Sequence, residues 1–314
     1  MIEYIAIEAG GIKGCSYAGI WKALHHQNKL DELMKNIKGI AGTSVGAIFA
    51  LCLCLECTAE EIIEYCIPIA SDFDKLAPSL DITMFFTNFG LDDGTSFRHA
   101  IGTILTKKGL SSDITLQTMQ NFIKYEFICA TTNIRISEYV YLSAKDYPNL
   151  KVVDAIFMSA CVPFLFKPME LNGELVADGI LAGQSLPMCF PPEKTLVLKT
   201  SCNPPSRITS LFDYMACIIN CGENTCNASY IKSCNEILDV WIPKYLSDKG
   251  PLDRNTNTFI VHKYIQVGYI KGLQFIQPKF IATMDIVLQI VILVHTEFYA
   301  CSSIDGDENS YLNF

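Results

Sequence analysis

A Gly-x-Ser-x-Gly sequence offers the clearest chemistry in the chain, because it can present a serine hydroxyl as a nucleophile. Ser44 is this serine, and the segment from Val45 to Leu55 carries almost nothing polar. A short strand before Ser44 and an apolar helix after it would hold the serine on a tight turn, with the positive end of the helix dipole directed at it. Glycines are needed on both sides, since a Cβ atom there would collide with neighbouring backbone. The predicted nucleophile elbow consists of Gly42, Thr43, Ser44, Val45 and Gly46.

A second cluster of glycines follows the predicted first strand, residues 4–7. Its spacing lacks the Gly-x-Gly-x-x-Gly pattern of a nicotinamide site, and no phosphate-loop Gly-Lys-Ser/Thr follows it. The interpretation that remains is a loop whose bare backbone amides, those of Gly11 and Ile12, converge on an oxyanion. Each such donor contributes about 3 kcal/mol to the stability of a transition state. The predicted oxyanion loop consists of Gly10, Gly11, Ile12, Lys13 and Gly14.

An aspartate follows the strongest hairpin signal in the chain. Asn172-Gly173 lies between two short strands, and the second strand ends at Asp178-Gly179. A carboxylate at the end of a strand, followed at once by glycine, is well placed for a site. Asp93-Gly94 is a second pair of this kind and either could be a plain turn, so position alone does not decide between them.

Histidine offers a different partner for the serine. A Ser-Asp-His hydrolase needs a histidine on a loop after the acid, and only His262 and His295 come late enough in the chain. Both fall within predicted secondary structure, whereas His25 and His26 lie on the predicted first helix. An aspartate used as the base instead has an ordinary pKa of about 3.9. Burial beside an apolar core can raise that pKa.

The elements that must position these residues alternate in type, which predicts parallel strand-loop-helix units of an α/β fold. A capping box at Thr58-Ala59-Glu60-Glu61 begins a helix that Pro68 is expected to stop. Other helices are predicted over residues 15–24, 30–37, 45–55, 96–108 and 152–160, after Thr115, and in pieces over 211–238 and 258–276. Strands are predicted over residues 4–7, 37–41, 125–130, 138–142, 169–171, 174–178 and 195–198.

Two segments keep alternative interpretations. In residues 69–95, glycine, proline and aspartate residues interrupt short pieces that are rich in aromatic residues, including Phe85, Phe86 and Phe89. This segment is either a packed connection or an apolar flap beside a lipid pocket. The apolar run from Ile286 to Val294 is too short to cross a bilayer, which leaves a docked helix or strand, or a membrane-contact patch.

Composition narrows the class of protein. Half of the 314 residues are hydrophobic, 18% are charged, and the formal net charge is −9. This charge argues against a nucleic-acid partner and weakens any case for adhesion to anionic membranes by charge alone. The 14 cysteines lie in apolar runs or at irregular intervals, which argues against a zinc site between Cys217 and Cys234. No secretory signal is recognised at the N-terminus, so we expect reduced thiols in the cytosol.

Taken in order, these motifs resemble those of the patatin-like phospholipases. The glycine-rich loop, the serine motif and Asp178-Gly179 are similar to that family's oxyanion loop, nucleophile motif and catalytic aspartate motif. The segments 130–133 and 159–166 also match, so the resemblance covers residues 2–200 and continues weakly to about 275. Two positions depart from the family pattern. Ala9 replaces the first of three glycines, and Ile180 follows Asp-Gly where the family has glycine or alanine.

The resemblance implies an α/β fold with three α/β/α layers around a mostly parallel central sheet. It implies a catalytic domain over residues 1–275 and a C-terminal extension over 276–314. The implied activity is lipid acyl hydrolysis of the phospholipase A type through an acyl-serine intermediate, with Ser44 and Asp178 as a dyad. No metal and no organic cofactor is expected. The expected partners are a phospholipid or other acyl lipid and, transiently, a membrane surface, but no nucleic acid.

The expected location is the cytoplasm, peripheral to membranes. Lys13 either meets a lipid phosphate or braces its loop. Two alternatives to the dyad enzyme stay open. One is a catalytically weak or inactive module that keeps the fold and binds lipid, for which Ala9 and Ile180 are the support. The other is a histidine-dependent esterase that uses His262 or His295.

Overall fold

A mostly parallel β-sheet forms the centre of the protein in a computed structural model. The structure describes residues 1–71, 82–182, 186–203, 236–247 and 258–277, together with residues 208, 214, 217–218 and 233–234. The strands are β1 (Tyr4–Ile7), β2 (Gly39–Thr43), β3 (Gly90–Asp92), β4 (Glu126–Asn133), β5 (Glu138–Ser143), β6 (Phe164–Phe166), β7 (Met169–Leu171), β8 (Glu174–Asp178), β9 (Thr195–Cys202) and β10 (Glu236–Ile242). The helices are α1 (Cys15–His26), α2 (Leu30–Met34), α3 (Val45–Cys54), α4 (Ala59–Ser71), α5 (Ile82–Asn88), α6 (Thr95–Lys107), α7 (Leu116–Gln120), α8 (Val152–Ala160), α9 (Lys244–Ser247) and α10 (Thr258–Ile276), with short 3₁₀ helices at Gly11–Gly14, Gly179–Ala182, Leu186–Cys189 and Pro192–Lys194.

The main sheet has eight strands in the order β10-β9-β1-β2-β4-β8-β7, with β5 also paired to β4. All pairs from β10 to β4 are parallel, whereas β5 and β8 both run antiparallel to β4. The predicted α/β class with a mostly parallel central sheet is confirmed. The Asn172-Gly173 hairpin is also confirmed, since both residues have the positive φ angles, 53° and 82°, that its tight turn requires.

One edge of β4 carries both β2 and β8. Strand β5 pairs with the other edge of β4, from Ile128 to Asn133. On the shared edge, β2 pairs with β4 as far as Ala130, and β8 pairs with β4 from Thr131 onward. The two strands run in opposite directions, so their carboxyl ends face each other. Thr43 pairs with Ala130, and Asp178 pairs with the next residue of β4. The last residues of β2 and β8 therefore lie at neighbouring positions along one strand.

Burial of the central elements follows from their composition. All five residues of β2 are buried, and so is every residue of α3 after Val45. Parallel strands covered on both faces are expected to be apolar throughout. On one face of the sheet, Leu186 and Phe190 pack against Ala6 and Ala41. The nucleophile motif thus lies inside the main core.

Helices α1 and α10 approach each other closely at glycines. A Cβ atom on Gly19 would overlap the carbonyl oxygen of Ile265, and one on Gly268 would overlap that of Ser16. Any larger side chain at either position would have to push the two helices apart. Because α1 begins directly after the 3₁₀ helix Gly11–Gly14, this contact fixes the helix that follows the predicted oxyanion loop.

The helix that begins at the capping box differs from its prediction at one end. The box itself is confirmed: the Glu61 amide donates to Thr58 Oγ1 at 3.1 Å, and the Thr58 amide donates to Glu61 Oε2 at 2.7 Å. The prediction that Pro68 stops this helix was wrong, because α4 continues through it to Ser71. Pro68 is exposed, so water can satisfy the carbonyl group that proline leaves without an amide donor.

Strand β10 corrects a second prediction. Helical pieces were expected as far as Leu238, but Glu236–Ile242 is a strand that pairs with β9. Its alternating pattern is the reason, since Leu238, Val240 and Ile242 are buried while Trp241 between them is exposed. Most of the remainder of 211–235, including Cys221 and Cys226, lies outside the described residues, as does the apolar run 286–294.

The segment predicted as an irregular excursion contains regular elements in its second half. Residues 82–88 form α5, and β3 pairs with β6 in a separate two-stranded parallel sheet. Residues 72–81 lie outside the described part. By its contacts the chain divides into two compact units, Met1–Gly272 and Leu273–Phe314. The division into a catalytic domain and a C-terminal extension at residue 275 stays a prediction.

Across the described ranges, no helix is both long enough and apolar enough to cross a membrane.

The glycine contact between α1 and α10 can be tested by substitution. We expect Gly268→Ala to lower the free energy of unfolding by about 2 kcal/mol or more, because the new methyl group overlaps the backbone of α1. Urea denaturation followed by circular dichroism measures this change. Gly102→Ala is the control, since the nearest atom to its Cβ would be Ser112 Cβ at 3.1 Å and every other atom would be at least 3.9 Å away. Equal effects of the two substitutions would contradict the close packing of the helices.

Candidate active site

Ser44 lies on a strained turn between β2 and α3. Its backbone has φ 55° and ψ −126°, a conformation that L residues rarely adopt and that is frequent at functional sites. The turn is tight enough that a Cβ on Gly42 would overlap the carbonyl of Gly46, and a Cβ on Gly46 would overlap that of Ile7. The predicted need for both glycines is therefore confirmed. Only 8% of the Ser44 surface is exposed.

The facing ends of β2 and β8 bring the serine and the aspartate together. The Ser44 hydroxyl donates a hydrogen bond to Asp178 Oδ2 at 2.7 Å, although the residues are 134 positions apart in the chain. Asp178 is 1% exposed, so the bond lies in a surrounding of low polarity where it is strong. The predicted convergence of these two side chains is therefore present, while their catalytic roles stay predictions.

Backbone amides orient the aspartate. The Ile180 amide donates to Asp178 Oδ1 at 2.9 Å, and the Asp178 amide donates to the carbonyl of Cys161 at 2.9 Å. The Thr132 hydroxyl donates to the carbonyl of Asp178 at 3.0 Å. Gly179 is required here, because a Cβ would lie 2.5 Å from the carbonyl oxygen of Ala130. One carboxylate oxygen is thus held by an amide while the other faces Ser44.

The predicted oxyanion loop forms the 3₁₀ helix Gly11–Gly14 beside the elbow. Gly11 has a φ of 52°, and Ala9 does not have a positive φ, so the departure from a third glycine imposes no strain. The first hydrogen bond of this turn is donated by the Lys13 amide to the carbonyl of Gly10 at 3.1 Å. The amides of Gly11 and Ile12 precede the Lys13 amide in the chain, so they have no hydrogen-bond acceptor within this 3₁₀ helix.

Two contacts fix the loop against its neighbours. A Cβ atom on Gly14 would overlap a methyl group of Val45, so the loop packs directly on the residue after Ser44. The Lys13 ammonium group donates to Cys202 Sγ at 2.8 Å, which ties the loop to the end of β9. This contact favours the bracing interpretation of Lys13.

Ser159 is a residue of the site that the sequence analysis did not single out. Its hydroxyl accepts a hydrogen bond from the Ser44 amide at 2.9 Å and donates one to the carbonyl of Ala130 at 2.6 Å. Ser159 is fully buried near the end of α8, a helix that is otherwise mostly apolar. A lone hydroxyl in such a helix was the available signal, because a buried polar group needs partners.

Burial holds several thiols of the central elements in their neutral form. Burial raises the pKa of Cys161 well above its ordinary value, and the charge of nearby Asp178 raises it further. Burial likewise raises the pKa of Cys54 and Cys129. The neutral thiol is a poor nucleophile, so Ser44 and not one of these cysteines stays the candidate nucleophile.

The four histidines of the described residues, His25, His26, His99 and His262, are exposed, whereas Ser44 and Asp178 are buried. His262 is exposed on α10, and His295 is outside the described residues. The described ranges contain one group of potential metal ligands, His25, His26 and Glu60, all exposed. The two histidines lie at the end of α1 opposite the oxyanion loop, about 15 Å along the helix.

Comparison with known proteins identifies the family. The model of the patatin-like phospholipases matches residues 5–188, which include the glycine-rich loop, Ser44 and Asp178. The chain therefore belongs to the patatin-like phospholipase family, and the resemblance seen in its sequence is confirmed. Membership in this family supports a lipid hydrolase function.

Two relatives show the extent of the likeness. An uncharacterized protein of Acanthamoeba polyphaga mimivirus is 27% identical over 180 residues, which cover 57% of this chain and 58% of the viral protein. VipD from Legionella pneumophila has a similar fold, with a TM-score of 0.57 and 16% identity over 87% of this chain and 66% of VipD. This chain thus spans little more than half the length of its viral relative.

The role of Ser159 can be tested by removing its hydroxyl. Ser159→Ala leaves the Ser44 amide and the Ala130 carbonyl buried without their partner, at a cost of about 2 kcal/mol in stability. We also expect the rate of Ser44 labelling by a fluorophosphonate to fall roughly tenfold, because the elbow is no longer held. Ser16→Ala is the matched control, since Ser16 is also fully buried but its hydroxyl has no partner in the described part. Equal labelling of both variants would contradict a positioning role.

The departure at Ile180 leads to a second test. Its contribution to the site is a backbone amide, so Ile180→Ala should keep the rate of ester hydrolysis within about threefold of the original. Steady-state kinetics with a soluble ester measures this rate. A loss of two orders of magnitude would show that the isoleucine side chain, and not its amide, matters.

Proposed function

We propose that this protein is a lipid acyl hydrolase of the phospholipase A type that uses Ser44 as nucleophile and Asp178 as general base. The observation that carries the proposal is the 2.7 Å hydrogen bond from the Ser44 hydroxyl to Asp178 Oδ2 within a buried site. A nucleophile bonded to a base that is itself oriented by a third group is the arrangement that covalent acyl transfer requires. Here the orienting group is the Ile180 amide.

The first half of the reaction acylates the serine. Asp178 accepts the Ser44 proton while the serine oxygen attacks the carbonyl carbon of an acyl ester. The amides of Gly11 and Ile12, with that of Val45, stabilise the negative charge that develops on the carbonyl oxygen. When the tetrahedral intermediate collapses, Asp178 returns the proton to the leaving alcohol, and an acyl-Ser44 ester remains.

The second half releases the fatty acid. Water replaces the alcohol and gives a proton to Asp178 as its oxygen attacks the acyl-serine. Collapse of the second intermediate restores the Ser44 hydroxyl. Every proton in both halves passes through one carboxylate, and the chemistry uses no metal and no organic cofactor. The proposed substrate is a phospholipid or another acyl lipid, reached by transient contact with a membrane surface.

Two other functions receive less support. A catalytically inactive lipid-binding module was suggested by Ala9 and Ile180, but Ala9 is unstrained and Ile180 acts through its amide. A histidine-dependent esterase needs a histidine beside the serine, whereas the Ser44 hydroxyl donates to Asp178 and His262 is exposed.

The proposal is tested with Ser44→Ala and Asp178→Asn, examined separately on a mixed phospholipid extract. We expect each variant to release fatty acid at least about 10³-fold more slowly than the original protein, because each loses one half of the dyad. Mass spectrometry identifies the fatty acids and lysolipids formed, and circular dichroism confirms that the variants fold. Retained turnover by Ser44→Ala would refute the assignment, and loss of turnover in His262→Ala would favour the esterase.

A further inference from the structure

Four phenylalanines, three of them exposed, lie on α5, at its end and at the start of β6. Phe85, Phe86 and Phe89 belong to α5 and its end, and Phe164 begins β6. The ring of Phe85 contacts those of Phe86 and Phe164, with centroids 5.4 Å and 6.2 Å apart. Phe89 precedes Gly90, which pairs with Phe164 in the sheet. These four residues are called the aromatic patch.

Three side chains of the aromatic patch expose much of their apolar surface to water, which is energetically unfavourable. Phe86 is 76% exposed, Phe89 62% and Phe164 44%. Phe89 and Phe164 also have positive φ angles of 66° and 69°. Bulky residues adopt such angles rarely, because they strain the backbone. A contiguous aromatic surface of this kind indicates an interaction site.

The charge around the patch selects the kind of partner. Neither residues 82–91 nor residues 161–166 contain a charged side chain, although the chain as a whole has a net charge of −9. Asp93, just beyond β3, accepts a hydrogen bond from the Thr95 amide at 2.8 Å and lies near Arg98 and Lys167. An uncharged aromatic surface fits the apolar interior of a bilayer, and the charges next to it in the chain, those of Asp93, Arg98 and Lys167, lie near one another.

The patch is also close to the site in the chain. Phe164 is three residues after Cys161, so the Cα atoms of these two residues are at most about 11 Å apart. The carbonyl of Cys161 accepts a hydrogen bond from the Asp178 amide. The same short segment begins at Ser159, which bonds to the Ser44 amide. The segment that carries Phe164 is therefore hydrogen-bonded to both Asp178 and Ser44 through its first residues.

We propose that the aromatic patch docks the protein on zwitterionic lipid bilayers, with Phe86, Phe89 and Phe164 inserted among the acyl chains. The proposal rests on the proposed function for its choice of a lipid partner. Binding depends on aromatic insertion and not on anionic lipid, since the chain is acidic overall.

The test compares the binding of full-length variants to phosphatidylcholine vesicles in a flotation assay. All carry Ser44→Ala, so that binding is measured without turnover. Phe86→Ser, Phe89→Asn and Phe164→Asn are combined in one variant, with asparagine at the two positions of positive φ because it tolerates that conformation. We expect its partition coefficient to fall roughly tenfold or more. Phe122→Ser is the matched control, since Phe122 is 69% exposed but lies outside the patch; its binding should be unchanged.

Three results would overturn the proposal. They are undiminished binding of the triple variant, binding that needs anionic lipid and disappears in about 0.5 M salt, and a patch-dependent dimer in the absence of lipid, which would make a second copy the partner. The proposed function is judged separately by hydrolysis of a dispersed short-chain ester. The triple variant with Ser44 restored should keep that rate, whether or not it binds vesicles.

Discussion

The pairing of two strands with one edge of β4 is the constraint on which the site depends. Because β2 and β8 approach from opposite directions and stop at neighbouring residues of β4, the turns that follow them must meet. The serine and the aspartate are thus placed by backbone hydrogen bonds and not by flexible loops. A bond of 2.7 Å between groups 134 residues apart follows directly from this register. Elements of regular structure place functional groups more accurately than loops do.

Around this meeting point, buried hydroxyl groups connect the strands to the turns. Ser159 joins the elbow amide to β4, and Thr132 joins the carbonyl of Asp178 to the amide of Ala182. Each of these hydroxyls both donates and accepts, so no polar group is left unpaired at these points. Hydroxyls that both donate and accept in a buried site hold their neighbours rigidly. Such rigidity can hold Ser44 in its rare backbone conformation, which the apolar packing of α3 does not by itself specify.

The sequence predicted those parts of the structure that depend on local patterns. Glycine spacing predicted the elbow, Asn172-Gly173 predicted the hairpin, and apolar runs predicted the central strands. It could not reveal that β2 and β8 share an edge of β4, because strand order depends on contacts between distant residues. Ser159 was overlooked for the same reason, since its two partners lie 115 and 29 residues away. Two predictions were wrong. The end of α4 was misplaced because Pro68 was given too much weight, and the strand Glu236–Ile242 was missed because its weak alternation was given too little.

The distances along the chain between paired strands have a consequence for synthesis. Residues 1–178 contain β2, β4 and β8, so the dyad can meet once Asp178 has emerged and the hairpin has closed. Strand β9 is synthesised later. It lies beside the predicted oxyanion loop, since it pairs with β1 and the Glu8 amide donates to the carbonyl of Leu198. Contacts of such long sequence separation form slowly. We therefore expect a nascent chain to bring Ser44 and Asp178 together before its glycine-rich loop is braced, so that the complete arrangement forms only when the ribosome has released β9.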